Sequence, residues 1–245
     1  MNQQGWAMVA LAAACMLWPS AGRAQGMEGT RSVSVAVGTG LSLSGNIIEE
    51  EVGRINGTPT VFVEQAYGNH FSDALRLRLI GSFGLDYNKE AFATFAYNKF
   101  NATERVTGST GGYPLYTRFD NTSAIDVEGG IRYYFRPEGP TRTYVAGVAG
   151  IRFHEEMQAT IRVLELGLTL NQLDYFESST LFLVGADTGI SQDLSDTIAI
   201  GAEIGLRFQP KPGAAEILPG TGLENINDTG SRWSLPVSAF MTWRF

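Results

Sequence analysis

The sequence predicts an all-β protein: an up-and-down, eight-stranded antiparallel transmembrane β-barrel with long loops at one end and short turns at the other. Three observations lead there. The chain closes on a period-two segment, Arg232 to Phe245, in which Trp233, Leu235, Val237, Ala239, Met241, Trp243 and Phe245 alternate with Ser234, Ser238, Thr242 and Arg244, giving one apolar and one polar face. Seven further segments alternate in the same way. The connections between them run strictly long, short, long, which suits a membrane barrel and has no purpose in a soluble barrel of the lipocalin kind.

Composition agrees. The 245 residues suffice for one barrel, and 44% are hydrophobic while mean hydropathy stays near zero, as expected when a polar lumen dilutes an apolar exterior. The 29 glycines let strands bend around a small barrel, and 14 Phe with 9 Tyr supply interfacial girdles. Past residue 30 no apolar run is long enough for a spanning helix. A formal charge of −7 argues against nucleic acid as a partner.

Residues 1–24 read as a cleavable signal peptide. An apolar core runs from Trp6 to Trp18, and Gly22-Arg23-Ala24 forms a small-x-small cleavage site, although the first residues, Met1-Asn-Gln-Gln, carry no Lys or Arg. The single cysteine, Cys15, lies in this segment and has no internal partner. Residues 25–245 are then the barrel domain.

The strands follow in order. Strand one, Arg31 to Leu43, sets Val33, Val35, Val37, Leu41 and Leu43 outward. Strand two, Asp73 to Tyr87, sets Leu75, Leu77, Leu79, Phe83 and Leu85 against Arg76, Arg78 and Asp86. Strand three, Glu90 to Ala102, is the least regular, with Ala91, Ala93, Phe95 and Tyr97 outward. Strand four, Ser123 to Arg136, opposes Ile125, Val127, Ile131, Tyr133 and Phe135 to Asp126, Glu128 and Arg132. Strand five, Thr143 to Glu155, turns Arg152 and His154 inward; strand six, Thr180 to Gln192, turns Asp187 inward; strand seven, Thr197 to Gln209, turns Glu203 and Arg207 inward. In strand eight Pro236 removes a ladder donor, so a bulge or a strand start is expected there.

Short turn-forming stretches join strands two and three (Asn88-Lys89), four and five (Pro137 to Arg142) and six and seven (Asp193 to Asp196). The other connections are long: Ser44 to Ser72, Thr103 to Thr122, Glu156 to Ser179 and Pro210 to Ser231. That asymmetry predicts extracellular loops, periplasmic turns and an outer-membrane location.

The inward positions collect Arg76, Arg78, Arg132, Arg152 and Arg207 against Asp86, Asp126, Glu128, Asp187 and Glu203. An eight-stranded barrel has room only for its own side chains, and ions withdrawn from water must be paired. The balanced set predicts a salt-bridged plug; the same residues, rearranged, would make a narrow ion path or gate.

The loops would hold any specific chemistry. Glu49-Glu50-Glu51 offers a carboxylate run to a divalent cation, or to lipopolysaccharide bridged through one, though such a run is more often a solvated face. Ile161 to Leu170 is too apolar for a solvated coil and predicts a hairpin prolonging strands five and six, able to pair by its edge. Pro210, Pro212, Pro219 and the glycines of the fourth loop predict tight turns over the barrel mouth. His70 and Ser72 stand two residues apart, so a strand would put them on one face as base and nucleophile. His154-Glu155-Glu156 lacks the partners of a metalloprotease motif.

The signal peptide, eight strands, four long loops and terminal Phe245 resemble the OmpA-like and OmpX-like small outer-membrane β-barrel class. The resemblance implies that Phe245, with Trp243 and Met241, forms the C-terminal signal read by the barrel assembly machinery. It also implies periplasmic chaperones during biogenesis, and lipid and lipopolysaccharide as the mature partners of a monomer. It does not extend to a peptidoglycan-binding domain, so anchoring to the cell wall is not expected. His70-x-Ser72 is similar to the His-x-Ser of the outer-membrane lipid A deacylases, but there the pair lies on a late strand facing the membrane and followed by an acid. The expected protein is therefore structural or surface-interacting, without cofactor or metal and not an enzyme; a small channel and a lipid A-modifying enzyme are the alternatives.

Overall fold

The computed structural model describes residues 27–72 and 74–245; the signal-peptide reading, Cys15 included, lies outside them. In chain order the strands are β1 (Arg31–Ser42), β2 (Asn46–Ile48), β3 (Glu51–Ile55), β4 (Thr58–Phe62), β5 (Gln65–Ala66), β6 (Ala74–Gly84), β7 (Lys89–Phe100) and β8 (Arg105–Thr110). They continue as β9 (Tyr113–Phe119), β10 (Thr122–Tyr134), β11 (Thr141–His154), β12 (Met157–Val163), β13 (Leu168–Phe176), β14 (Ser179–Asp193), β15 (Ile198–Gln209) and β16 (Arg232–Arg244). One short helix, α1 (Tyr67–His70), precedes β6.

Eight of these strands close a barrel in the order β1-β16-β15-β14-β11-β10-β7-β6. Each is antiparallel to its neighbours, and β1 pairs with β16 to seal the ring, Ser32 opposite Arg244 through to Ser42 opposite Ser234. Register keeps like with like: Val35 lies between Leu79 and Met241 on the outside, and Ser34 lies between Ile80 and Thr242 on the inside. A one-residue slip would invert every side chain. Val35, Leu79, Phe95, Ile131 and Phe182 are about half exposed, so the outer wall is an apolar belt. Near the long-loop end Phe182, Phe208 and Trp233 form a chain of rings with centroids 6.2 and 5.1 Å apart. Near the short-turn end the Tyr133 and Phe135 rings meet edge to face.

The turns are built by their polar residues. Asp86 accepts the backbone N–H groups of Asn88 and Lys89 at 3.0 and 2.9 Å, an Asx turn that reverses the chain between β6 and β7. Pro236 creates neither a bulge nor a strand start. Strand β16 runs straight through it, with Gly40 opposite on the β1 side, while the β15 pairing is interrupted between Ile204–Val237 and Arg207–Ser234. The missing N–H falls on that one ladder and leaves the other whole.

The long loops are not coil. Hairpins β3–β4, β8–β9 and β12–β13, one from each of the first three, join edge to edge into a six-stranded sheet ordered β13-β12-β9-β8-β4-β3. The fourth loop folds against it, with Arg54 N–H bonding Thr221 O and Glu177 N–H bonding Gly213 O. Beneath lies an apolar core of Ile47, Phe62, Leu115, Phe119, Ile161, Val163, Tyr175, Leu223 and Ile226, each essentially without exposure. The expected hairpin in the third loop is present, and it forms one edge of this sheet, with β3–β4 at the other.

Candidate functional site: the lumen and the sheet above it

The lumen alternates guanidiniums and carboxylates in tiers. Nearest the long loops, Arg152 holds Asp126 through two bonds, Nε to Oδ1 at 2.6 Å and Nη2 to Oδ2 at 2.9 Å, while Asn98 Nδ2 donates to the same carboxylate at 3.0 Å. Below it Glu128 is shared by Arg76, at 3.1 Å, and Arg207, at 3.0 Å; Arg207 also grips Asp187 at 2.5 and 2.9 Å. Next, Glu203 accepts from Arg78 Nη1 at 2.5 Å and from the Tyr144 hydroxyl at 2.6 Å. Arg132 bridges from this tier to Glu90 at 3.1 Å and lies 4.3 Å over the Phe92 ring. At the short-turn end Asp193 pairs with both Arg142 and Arg244, at 2.9 and 2.7 Å.

Nine of the ten sequence-predicted lumen residues are buried here: Arg76, Arg78, Asp126, Glu128, Arg132, Arg152, Asp187, Glu203 and Arg207. Asp86 is not. It belongs to the exposed turn after β6, with Lys89 Nζ at 2.8 Å, and that hydrogen bond holds its carboxyl below the usual range. β6 ends at Gly84, three residues short of the expected strand. Its place is taken by Glu90, which accepts from Arg132, Tyr134 and Ser82. Arg232 and Gln209 were also missed, although strand parity carried the signal, since Arg232 shares its face with Ser234 and Ser238.

Glycine makes the lumen wide enough in places. A Cβ at Gly189 would strike the Tyr144 ring, and one at Gly205 would strike Asp187, so these positions give space to the network itself.

The residues considered for chemistry do not assemble. His70 closes α1 and is fully buried, its ring edge-on to Phe119 at 5.0 Å. Burial foremost, with Arg105 adding to it, pushes its pKa down to about 4. Ser72 lies beyond the helix, exposed, and donates to Asn101 O at 3.3 Å. The shared strand face that a base and nucleophile need is absent, because the two residues are not on a strand. Glu51 accepts from the backbone and side chain of Asn225 at 3.1 and 3.0 Å, and Glu49 accepts from Asn46. Among the described residues no group of three His, Cys, Asp or Glu side chains gathers as a metal site. Met241 and Trp243 face outward, and Phe245 exchanges two backbone hydrogen bonds with Arg31.

No protein-family model matches the chain, and no curated protein matches it in sequence. Among solved structures it resembles the outer membrane protein OprG from Pseudomonas aeruginosa, with a TM-score of 0.51 at 9% identity over 93% of this chain and 99% of that one. Neisserial surface protein A, NspA, aligns with a TM-score of 0.49 at 12% identity over 89% of this chain and all of that one. At such identity the likeness to OprG is one of fold, and the chain has the closed eight-stranded fold of the small outer-membrane β-barrels.

Proposed function

We propose that this protein is an outer-membrane surface protein in which a sealed barrel carries a rigid extracellular platform. The observation that carries the reading is the loop sheet: three hairpins from separate loops share one apolar core and a fourth loop closes it. Loops serving only to link strands have no need of a core larger than any cluster inside the barrel. The apolar belt would face lipid and lipopolysaccharide, the three short turns the periplasm, and the tiers of ion pairs would seal the lumen. Residues 1–24 would be removed on export. Met241, Trp243 and Phe245, accessible on the barrel's closing strand, would be the C-terminal signal for periplasmic chaperones and the assembly machinery.

Removal of the signal would also remove Cys15, so introduced cysteines report orientation cleanly. Val52 on β3 is 69% exposed, and Leu194 in a short turn is 44% exposed. In intact cells Val52→Cys is expected to react with a membrane-impermeant maleimide and Leu194→Cys only after permeabilisation. The reverse order, or equal labelling, would refute the outward platform.

A further inference from the structure

A cavity of about 140 Å³ lies where the barrel lumen meets the loop core. Its floor is charged and its roof aromatic: Arg76, Arg152 and Arg232 face Tyr67, Phe71 and Phe100. The three guanidiniums are at most 7% exposed. Asp126 serves two of them, lying 2.6 Å from Arg152 and 3.4 Å from Arg76. Arg232 has no carboxylate within 4 Å among the described residues; it donates to Gln209 Oε1 at 3.1 Å and stacks 4.0 Å over the Tyr67 ring. The Nε groups of both Arg232 and Arg76 are buried without a partner.

A buried guanidinium lacking a counter-ion is unfavourable, and so is each unsatisfied N–H. Among the described residues every other buried lumen arginine has a carboxylate within 4 Å, so the missing counter-ion falls on Arg232, in the wall of this cavity. The volume exceeds what a single water requires and matches a small oxyanion. Cation–π stacking on Tyr67 holds the Arg232 plane in place, leaving its edge to form forked hydrogen bonds to a carboxylate or phosphate.

We propose that this cavity binds an oxyanion, a carboxylate or phosphate group on a small body, through Arg232 and Arg76, with the aromatic roof covering the body. Entry is by the rim at Ser42, Gly68 and Ser72, which is partly or wholly exposed. Leu41 belongs both to the cavity wall and to the outer apolar belt, so the oxyanion comes either from a dissolved solute or from a lipid headgroup.

The test is calorimetric titration of the refolded barrel, in an uncharged maltoside detergent, with inorganic phosphate and with acetate. Saturable binding at one site is expected, weakened about tenfold or more in Arg232→Gln. Ser42→Glu, which sets a carboxylate at the rim and leaves the buried ions untouched, should weaken it similarly, and Arg54→Gln on the exposed sheet should not. Heat-modifiable electrophoretic mobility verifies that each variant is folded. Repeating the titration in galactolipid nanodiscs with and without lipid A separates the sources. Loss of phosphate binding when lipid A is present assigns the site to a headgroup, and unchanged binding assigns it to a solute. Absence of saturable binding to either anion, or wild-type binding by both Arg232→Gln and Ser42→Glu, would overturn the proposal; neither outcome bears on barrel orientation.

Discussion

Glu203 is a junction of the lumen network, since Arg78, Tyr144 and Arg132 all converge on its carboxylate. Removing its charge leaves buried guanidiniums uncompensated. Glu203→Gln is expected to lower the stability of the vesicle-embedded barrel by about 3 kcal/mol or more, read from urea unfolding by tryptophan fluorescence, whereas Asp86→Asn in the exposed turn should leave the midpoint where it is. His70 supplies a second prediction at this scale. Its folded pKa, about 4, lies below the ordinary 6.5, so the folded state takes up fewer protons than the unfolded chain. Stability is therefore full above pH 6.5 and falls as the pH drops towards 4. Near-UV circular dichroism of the aromatic cluster around Phe119 should fade over that window, and His70→Phe should reduce the loss. Parity along each strand made most lumen residues legible in the sequence. It failed at Asp86 because the strand stops early and a turn needs that carboxylate, whereas Glu90, opposite in parity to the outward Ala91, Ala93, Phe95 and Tyr97, carried the signal at the start of the least regular strand.

At the scale of elements, the eight wall strands were readable because one face of each is apolar and the other is not. Their ends were found to within a few residues, with β6 the main exception. The loop sheet was not readable. Its strands are short, β8 is irregular in burial, and β3 and β9 alternate in burial without alternating in polarity, since Val52 and Tyr113 are exposed while Gly53 and Thr117 share the inner faces. Only the β12–β13 hairpin, with Ile161 and Val163 on one strand and Leu168 and Leu170 on the other, was legible, from its apolar side chains. Tyr175 ties this assembly together: its hydroxyl donates to Ile47 O at 2.7 Å and is 3.0 Å from Ile226 O, while Asn227 Nδ2 bonds the Tyr175 carbonyl at 2.6 Å. Tyr175→Phe leaves two buried carbonyls without that donor, an effect of about 1 to 3 kcal/mol. Hydrogen exchange in the first and fourth loops should accelerate accordingly, with the barrel strands unaffected; uniform acceleration would mean that loops and barrel open as one unit.

At the scale of the whole molecule, two cores stack end to end: an ionic one inside the barrel and an apolar one above it. The barrel reverses the usual arrangement, apolar outside and charged within, which is the arrangement a lipid surround selects. Within the predicted set Glu90 stands where Asp86 was expected and the five arginines each meet a carboxylate, while Arg232 adds a buried guanidinium without one. A sealed lumen is the central claim, because it assigns the working surface to the loop sheet and not to a pore. Single-channel recording of the refolded protein, residues 25–245, in a planar bilayer tests it most directly. The account predicts a silent bilayer at neutral pH, with conductance appearing only when pairs are broken, as in Glu203→Ala. Reproducible conductance steps from the wild-type protein would contradict the seal and make the tiers of arginine and carboxylate the lining of a path.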